Sequence, residues 1–139
     1  MPNDFAPGPT PTPSAPLLTG FALLDAEKLD CYRLAVEFQS LAVRLLPKRG
    51  YAGLRDQLDR ASVSIVLNIA EGAGRFSPAD KARFYAIARG SATECAAVVD
   101  IALSRGMAPA SPCRQARSLL VRIVQMLTCL NASMKSRHP

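Results

Sequence analysis

The segment SIVLNIAEGAGR places Ser64, Asn68 and Glu71 among Ile, Val, Leu, Ala and Gly, with Arg75 at its end. At 100° per residue, Arg60, Ser64, Asn68, Glu71 and Arg75 share a sector of about 80° on one helix. Such a ladder has two chemical uses. Glu71 could pair with Glu94 further along the chain, as general acid and base or around a divalent ion. Alternatively, these groups and Ser91 could hydrogen-bond to one another and set the register of two helices. Metal sites in helical bundles are built on Glu-x-x-His repeats, and the single histidine, His138, is the penultimate residue. That histidine is also the only imidazole base open to a serine or cysteine nucleophile. Gly72-Ala73-Gly74-Arg75 does not make a phosphate loop, because these glycines close a helix and no lysine before Ser/Thr follows. The expectation is a structural network of Arg60, Ser64, Asn68, Glu71, Arg75, Ser91 and Glu94, with no catalytic residue, metal or cofactor. Glu94 falls angularly between Ile87, Val98 and Ile101, so its carboxylate is expected to point at packed surface. Arg60, Arg75 or Arg89 would then pair with it, since an unpaired buried carboxylate costs several kcal/mol.

The elements that would carry these groups are helices, because every long segment has a helical period and none alternates like a half-buried strand. A first helix is expected from about Asp25, a capping residue, to Leu46, where Pro47 forbids continuation. Leu34, Phe38, Leu41 and Leu45 form its apolar stripe. The second runs from about Ala52 to Glu71 and ends at Gly72 and Gly74, which tolerate the left-handed conformation of many helix ends. Ser77-Pro78-Ala79-Asp80 and Ser111-Pro112 read as starts for the third and fourth. The third carries Phe84, Ala88, Ser91, Cys95, Val98 and Ala102 at steps of four and three; the fourth carries Ala116, Leu120, Ile123, Leu127, Leu130 and Met134. That is the seam of antiparallel helices at a shallow angle, and short links favour an all-α, up-down-up-down four-helix bundle. Gly90, Ser91, Ala92, Ala96 and Ala97 would let a neighbouring helix come close, offsetting the roughly 1 kcal/mol that Gly90 costs relative to alanine.

The second helix is apolar on two sides, with Leu58, Ala61, Ile65 and Ile69 on one and Val63, Val66, Leu67 and Ala70 on the other. The first side suits the bundle core. The second needs cover that sister helices do not supply, and implies self-association.

With 139 residues, one domain is expected. Six of the 11 prolines fall in the first 20 residues with a single charge, Asp4, so residues 1–20 read as a disordered tail and 21–139 as the bundle. No basic-then-apolar leader and no run of 18 apolar residues occur, so a secretory signal and a membrane span are not expected. Four cysteines, Cys31, Cys95, Cys113 and Cys129, form no C-x-x-C pair and suit reduced, buried thiols in a cytoplasmic protein. The net charge is +6, and no carboxylate follows Asp100 while Arg105, Arg114, Arg117, Arg122, Lys135 and Arg137 do.

Gln57, Arg60-Ala61-Ser62-Val63-Ser64-Ile65, Asn68-Ile69-Ala70-Glu71-Gly72 and Arg75, followed by Phe84, Ala88, Gly90-Ser91 and Glu94, resemble the four-helix-bundle family encoded within 23S ribosomal RNA intervening sequences. The resemblance covers roughly residues 29–106. It implies a small cytosolic protein assembling as a homopentamer, five bundles around an axis. The related accessory variability determinant of diversity-generating retroelements, a basic barrel, binds nucleic acid and a reverse transcriptase.

Two functions are therefore expected to compete. One is an oligomeric, non-enzymatic scaffold that binds a protein partner through its basic face or tail. The other is an accessory protein binding RNA or DNA through Arg105, Arg114, Arg117, Arg122 and Lys135, multiplied around an oligomer. Aromatic residues for base stacking are scarce: five Phe, three Tyr and no Trp.

Overall fold

A computed structural model describes residues 23–137. The proposed tail and His138 lie outside them. The described chain is all-α: a 3-10 turn at Asp25–Lys28 precedes α1 (Asp30–Leu45), α2 (Ala52–Gly74), α3 (Pro78–Ser104) and α4 (Ala110–Ser136), and the described residues contain no strand. α1 packs on α2 and α4, α3 packs on α2 and α4, and the backbones of α1 and α3, like those of α2 and α4, stand diagonally apart across the core. The four helices therefore enclose one core in the cyclic order of the chain.

That core is the convergence of the four expected stripes. Leu34 and Phe38 of α1, Ile65 and Ile69 of α2, Ala88 and Cys95 of α3, and Leu120, Ile123 and Leu127 of α4 are all fully buried. Leu41, Phe84, Ser91 and Leu130 sit at its margin, partly buried. Residue pairs ascend α2 as they descend α3: Ser64 meets Ser91, and Gly72 meets Phe84 and Tyr85. The same opposition relates α3 to α4, where Ala82, Arg89 and Asp100 meet Asn131, Thr128 and Arg117.

Helix ends depart from expectation in three places. Asp25 does not cap α1. It opens the 3-10 turn, and Leu29, extended at φ −92° and ψ 127°, separates that turn from α1. α4 starts at Ala110 behind Pro109, so Ser111 and Pro112 lie inside its first turn rather than before it. α2 runs through both Gly72 and Gly74 and stops at Arg75 in an extended conformation; neither glycine is left-handed. Two glycines are left-handed, Gly50 at φ 74° in the link before α2 and Gly106 at φ 66° after α3, where the Gly106 N–H donates to the Leu103 carbonyl and that of Met107 to Ala102. These two bonds tie off the C-terminus of α3 and bury Met107. Ser77 behaves as expected, its hydroxyl accepting the Asp80 N–H at 3.0 Å with Pro78 in the first turn.

Gly72 serves close approach instead. A Cβ there would stand 2.8 Å from Tyr85 Cε1 and 3.0 Å from Phe84 Cβ. Gly90 is the reverse case: nothing lies within 4 Å of a Cβ built on it, so no neighbour in this chain exploits its small size. Alanine gains up to ~1 kcal/mol of helix propensity over glycine, whereas forcing a methyl into a packed contact costs ~1–3 kcal/mol. Gly72→Ala should therefore lower stability by about 1–2 kcal/mol and Gly90→Ala raise it by about 0.5–1 kcal/mol, signs that chemical denaturation of dilute protein will check.

Candidate functional site

The ladder on α2 divides in two. Ser64 and Asn68 are half-buried against α3, where the Ser64 and Ser91 hydroxyls share a hydrogen bond at 2.8 Å. Asn68 Nδ2 donates to the Ser64 carbonyl at 2.9 Å and to its hydroxyl at 3.0 Å. Each such bond contributes about 1 kcal/mol net, and stranding one partner would cost about 1–3 kcal/mol. Arg60, Glu71 and Arg75 are exposed. Glu71 pairs with Arg75 one turn on, and the Arg75 guanidinium lies 4.8 Å from the Phe84 ring centre, with Arg83 at 4.7 Å from the same ring.

Glu94 departs from its expected surroundings. In a single chain it is exposed, and no hydrogen bond or ion pair reaches it among the described residues. Arg75 is engaged by Glu71, Arg89 donates to Thr128 Oγ1 at 2.7 Å, and Arg60 has no partner among the described residues. The register set by Ser64–Ser91 and Gly72–Tyr85 brings Glu94 level with Ala61, about three helical turns from Glu71. The two carboxylates are thus not brought together. Among the described residues no three His, Cys, Asp or Glu side chains gather as metal ligands would.

Two polar locks are not evident in the sequence pattern. Gln39 of α1 donates to the Ser62 carbonyl at 2.9 Å and accepts from the Ser62 hydroxyl at 3.4 Å, and Ser62 is the one buried polar residue among those described. Asn131 of α4 donates to the Ala82 carbonyl at 2.6 Å. Both side chains interrupt otherwise apolar margins, which is the only signal the sequence offers for them. Lys81 reaches back across the α2–α3 link, its Nζ donating to the Ala73 carbonyl at 2.8 Å, and so serves the otherwise unpaired end of α2.

The proposed second apolar side of α2 is open in one chain. Leu67 is 61% and Val63 40% exposed, Val66 and Ala70 are half-buried, and Ile87 of α3, beside Leu67 in the register, is 45% exposed. Of the proposed cationic set, Arg117 is occupied: it holds both oxygens of Asp100, at 2.9 and 3.1 Å, so the basic run does have an acidic counterpart. Arg105, Arg114 and Lys135 are exposed, and Arg122 is half-buried. No described helix is long and apolar enough to cross a membrane.

These features define an all-α, four-helix protein whose interior polar groups serve helix register. The chain matches the model of the 23S rRNA-intervening sequence protein family over residues 27–129, well over half its length, and belongs to that family. No curated protein matches it.

Cys31, Cys95 and Cys113 are buried free thiols, and Cys129, against expectation, is exposed. Burial pushes Cys31 up from 9.0 to about 11 and Cys95 to about 12, with the Glu94 charge adding to the latter. The folded state therefore keeps these protons above pH 9, whereas the unfolded chain releases them there. Their contribution to stability is complete below that pH and declines as pH climbs toward the folded values. Urea midpoints should fall steadily between about pH 9 and 11 and lose part of that slope when both residues are replaced by alanine, the remainder coming from Cys113 and Tyr85, which burial also pushes up.

Proposed function

We propose that this protein is a non-enzymatic, cytoplasmic scaffold: an up-down-up-down four-helix bundle that assembles with copies of itself, as the homopentamer its family resemblance implies, and acts by binding another macromolecule. The observation that carries the reading is the outward face of α2. Leu67 points away from the core with Val63 beside it and Ile87 across the groove, while Arg60 and Glu94 flank them with no partner among the described residues. Apolar surface rimmed by unanswered charge fits a contact between copies better than it fits solvent. The opposed residue pairs along α2 and α3 and along α3 and α4 support the alternating topology. Enzymatic chemistry has little support, since Glu71 and Glu94 lie turns apart and Glu71 is tied to Arg75.

A second reading, binding of RNA or DNA, is favoured by the exposed Arg105, Arg114 and Lys135, which an oligomer would repeat around its axis. Arg117, neutralised by Asp100, contributes less to it than the sequence suggests.

Leu67→Asp should convert the assembly to single chains in sedimentation equilibrium with thermal unfolding of the monomer intact; an unchanged mass would reject the α2 face as the contact. For the second reading, fluorescence titration with mixed-sequence RNA and DNA should show affinity that falls steeply with added salt, and binding that is absent at low salt would remove it.

A further inference from the structure

The two links at one end of the bundle carry cations that the chain does not answer. Residues 46–51 join α1 to α2, and 105–109 join α3 to α4. Thirteen residues before Ser64 and thirteen after Ser91, Tyr51 and Ser104 stand level on neighbouring helices, so the two links share one end. The stretches 44–55 and 103–114 contain Arg44, Lys48, Arg49, Arg55, Arg105 and Arg114 and no carboxylate. Lys48, Arg49 and Arg105 are exposed, and their side chains make no hydrogen bond or ion pair among the described residues. The nearest carboxylates, Asp56 and Asp59, lie further along α2, and Asp100 is already held by Arg117.

An aromatic ring stands among these cations. Tyr51 is 51% exposed and takes no part in the core. Its backbone is left-handed at φ 53°, a conformation that residues with a side chain rarely adopt. Arg55 holds the link in that shape, donating to the carbonyls of Pro47, at 2.9 Å, and of Gly50. Lys48 and Arg49 are thereby kept within three residues of the ring by the chain itself. The opposite end offers an instructive contrast. Phe76, in the three-residue link between α2 and α3, is fully exposed, but there the cations are paired: Arg75 with Glu71, Arg33 with Asp30 and Lys28 with Asp25.

We propose that this end of the bundle binds single-stranded nucleic acid, with Lys48, Arg49 and Arg105 on its phosphates and Tyr51 stacked on one base. The proposal rests on the second reading above and gives it a place. Unpaired cations release counterions from a polyanion and supply most of the affinity, and an exposed ring stacks on any base that is free of a duplex. Of the cations in that reading, Arg105 belongs to this end. Lys135 does not: it lies in the last turn of α4, beyond the contact of Asn131 with Ala82 near the start of α3.

The test is fluorescence anisotropy of the full chain with a labelled, mixed-sequence single-stranded RNA, the matching DNA and the RNA duplex, over a series of salt concentrations. Lys48→Glu with Arg49→Glu should weaken single-strand binding at least about tenfold and flatten the plot of log affinity against log salt by about 1.4, the loss of two phosphate contacts. Tyr51→Asn, which keeps a residue tolerant of the left-handed backbone, should weaken binding about tenfold at an unchanged slope, and Tyr51→Phe should bind like the native chain. Phe76→Ala and Lys135→Glu, at the other end, should also bind like the native chain. All these side chains are exposed, so thermal unfolding should stay the same. If the native chain binds but the Lys48 and Arg49 variant binds equally well, or Lys135→Glu loses as much, the site is refuted while nucleic-acid binding elsewhere stands. Tyr51→Asn with native affinity, or a duplex bound as tightly as the single strand, refutes the stacked strand. A native chain that binds none of the three at low salt refutes both the site and the reading it rests on.

Discussion

The bundle depends on how closely α2 can lie on α3. At the end near the link, the ring of Tyr85 rests against the bare backbone of Gly72, where even a methyl group would collide. Two turns further on, the hydroxyls of Ser64 and Ser91 meet at 2.8 Å, a distance that only short side chains on closely spaced helices can reach. Between them Asn68 returns its amide to Ser64, leaving the buried polar edge answered from within. Steric contact sets the spacing and hydrogen bonding sets the register. A slide of one helix by a single turn would lose both at once.

From that pairing the rest follows by elimination. With α3 held on α2, the faces left to α3 and α2 are closed by α4 and α1, and the locks there are single polar side chains set into apolar margins: Asn131 on Ala82, Gln39 on Ser62. Small residues recur where helices must be near, as at Ala88, Ala92, Ala116 and Ala102, all of them buried. The match to the 23S rRNA-intervening sequence protein family, residues 27–129, spans the whole of this pairing.

The helical content, the four stripes and the Ser77-Pro78 start were legible in the sequence because each is a local signal, a period or a cap, that tertiary packing reinforces. The misreadings come from residues with more than one use. Gly72 serves a close approach as well as a glycine can serve a helix end, and only the position of Tyr85 distinguishes the two. Ser111-Pro112 has the composition of a start, but proline is tolerated throughout a first turn, and Pro109 opens the helix earlier. Asp25 could cap a helix, but extended Leu29 intervenes. Of the residues that flank Glu94 by angle, Val98 is buried but Ile87 and Ile101 face outward, so the carboxylate stands in solvent rather than against packed surface. Arg117 shows the limit of reading charge along a chain, since its partner Asp100 comes from another helix.

The short link after α2 is braced from both sides. Lys81 clasps the last carbonyls of α2, Ser77 fastens the first turn of α3, and Arg75 and Arg83 both lie against Phe84. Phe76, fully exposed on so stiff a mount, forfeits little backbone freedom when something closes over it, so more of the free energy of desolvating its ring remains as affinity. The same stiffness makes the outcome nearly all-or-none. A rigid protrusion cannot fold back to hide, and it either finds a complementary recess or stays in water.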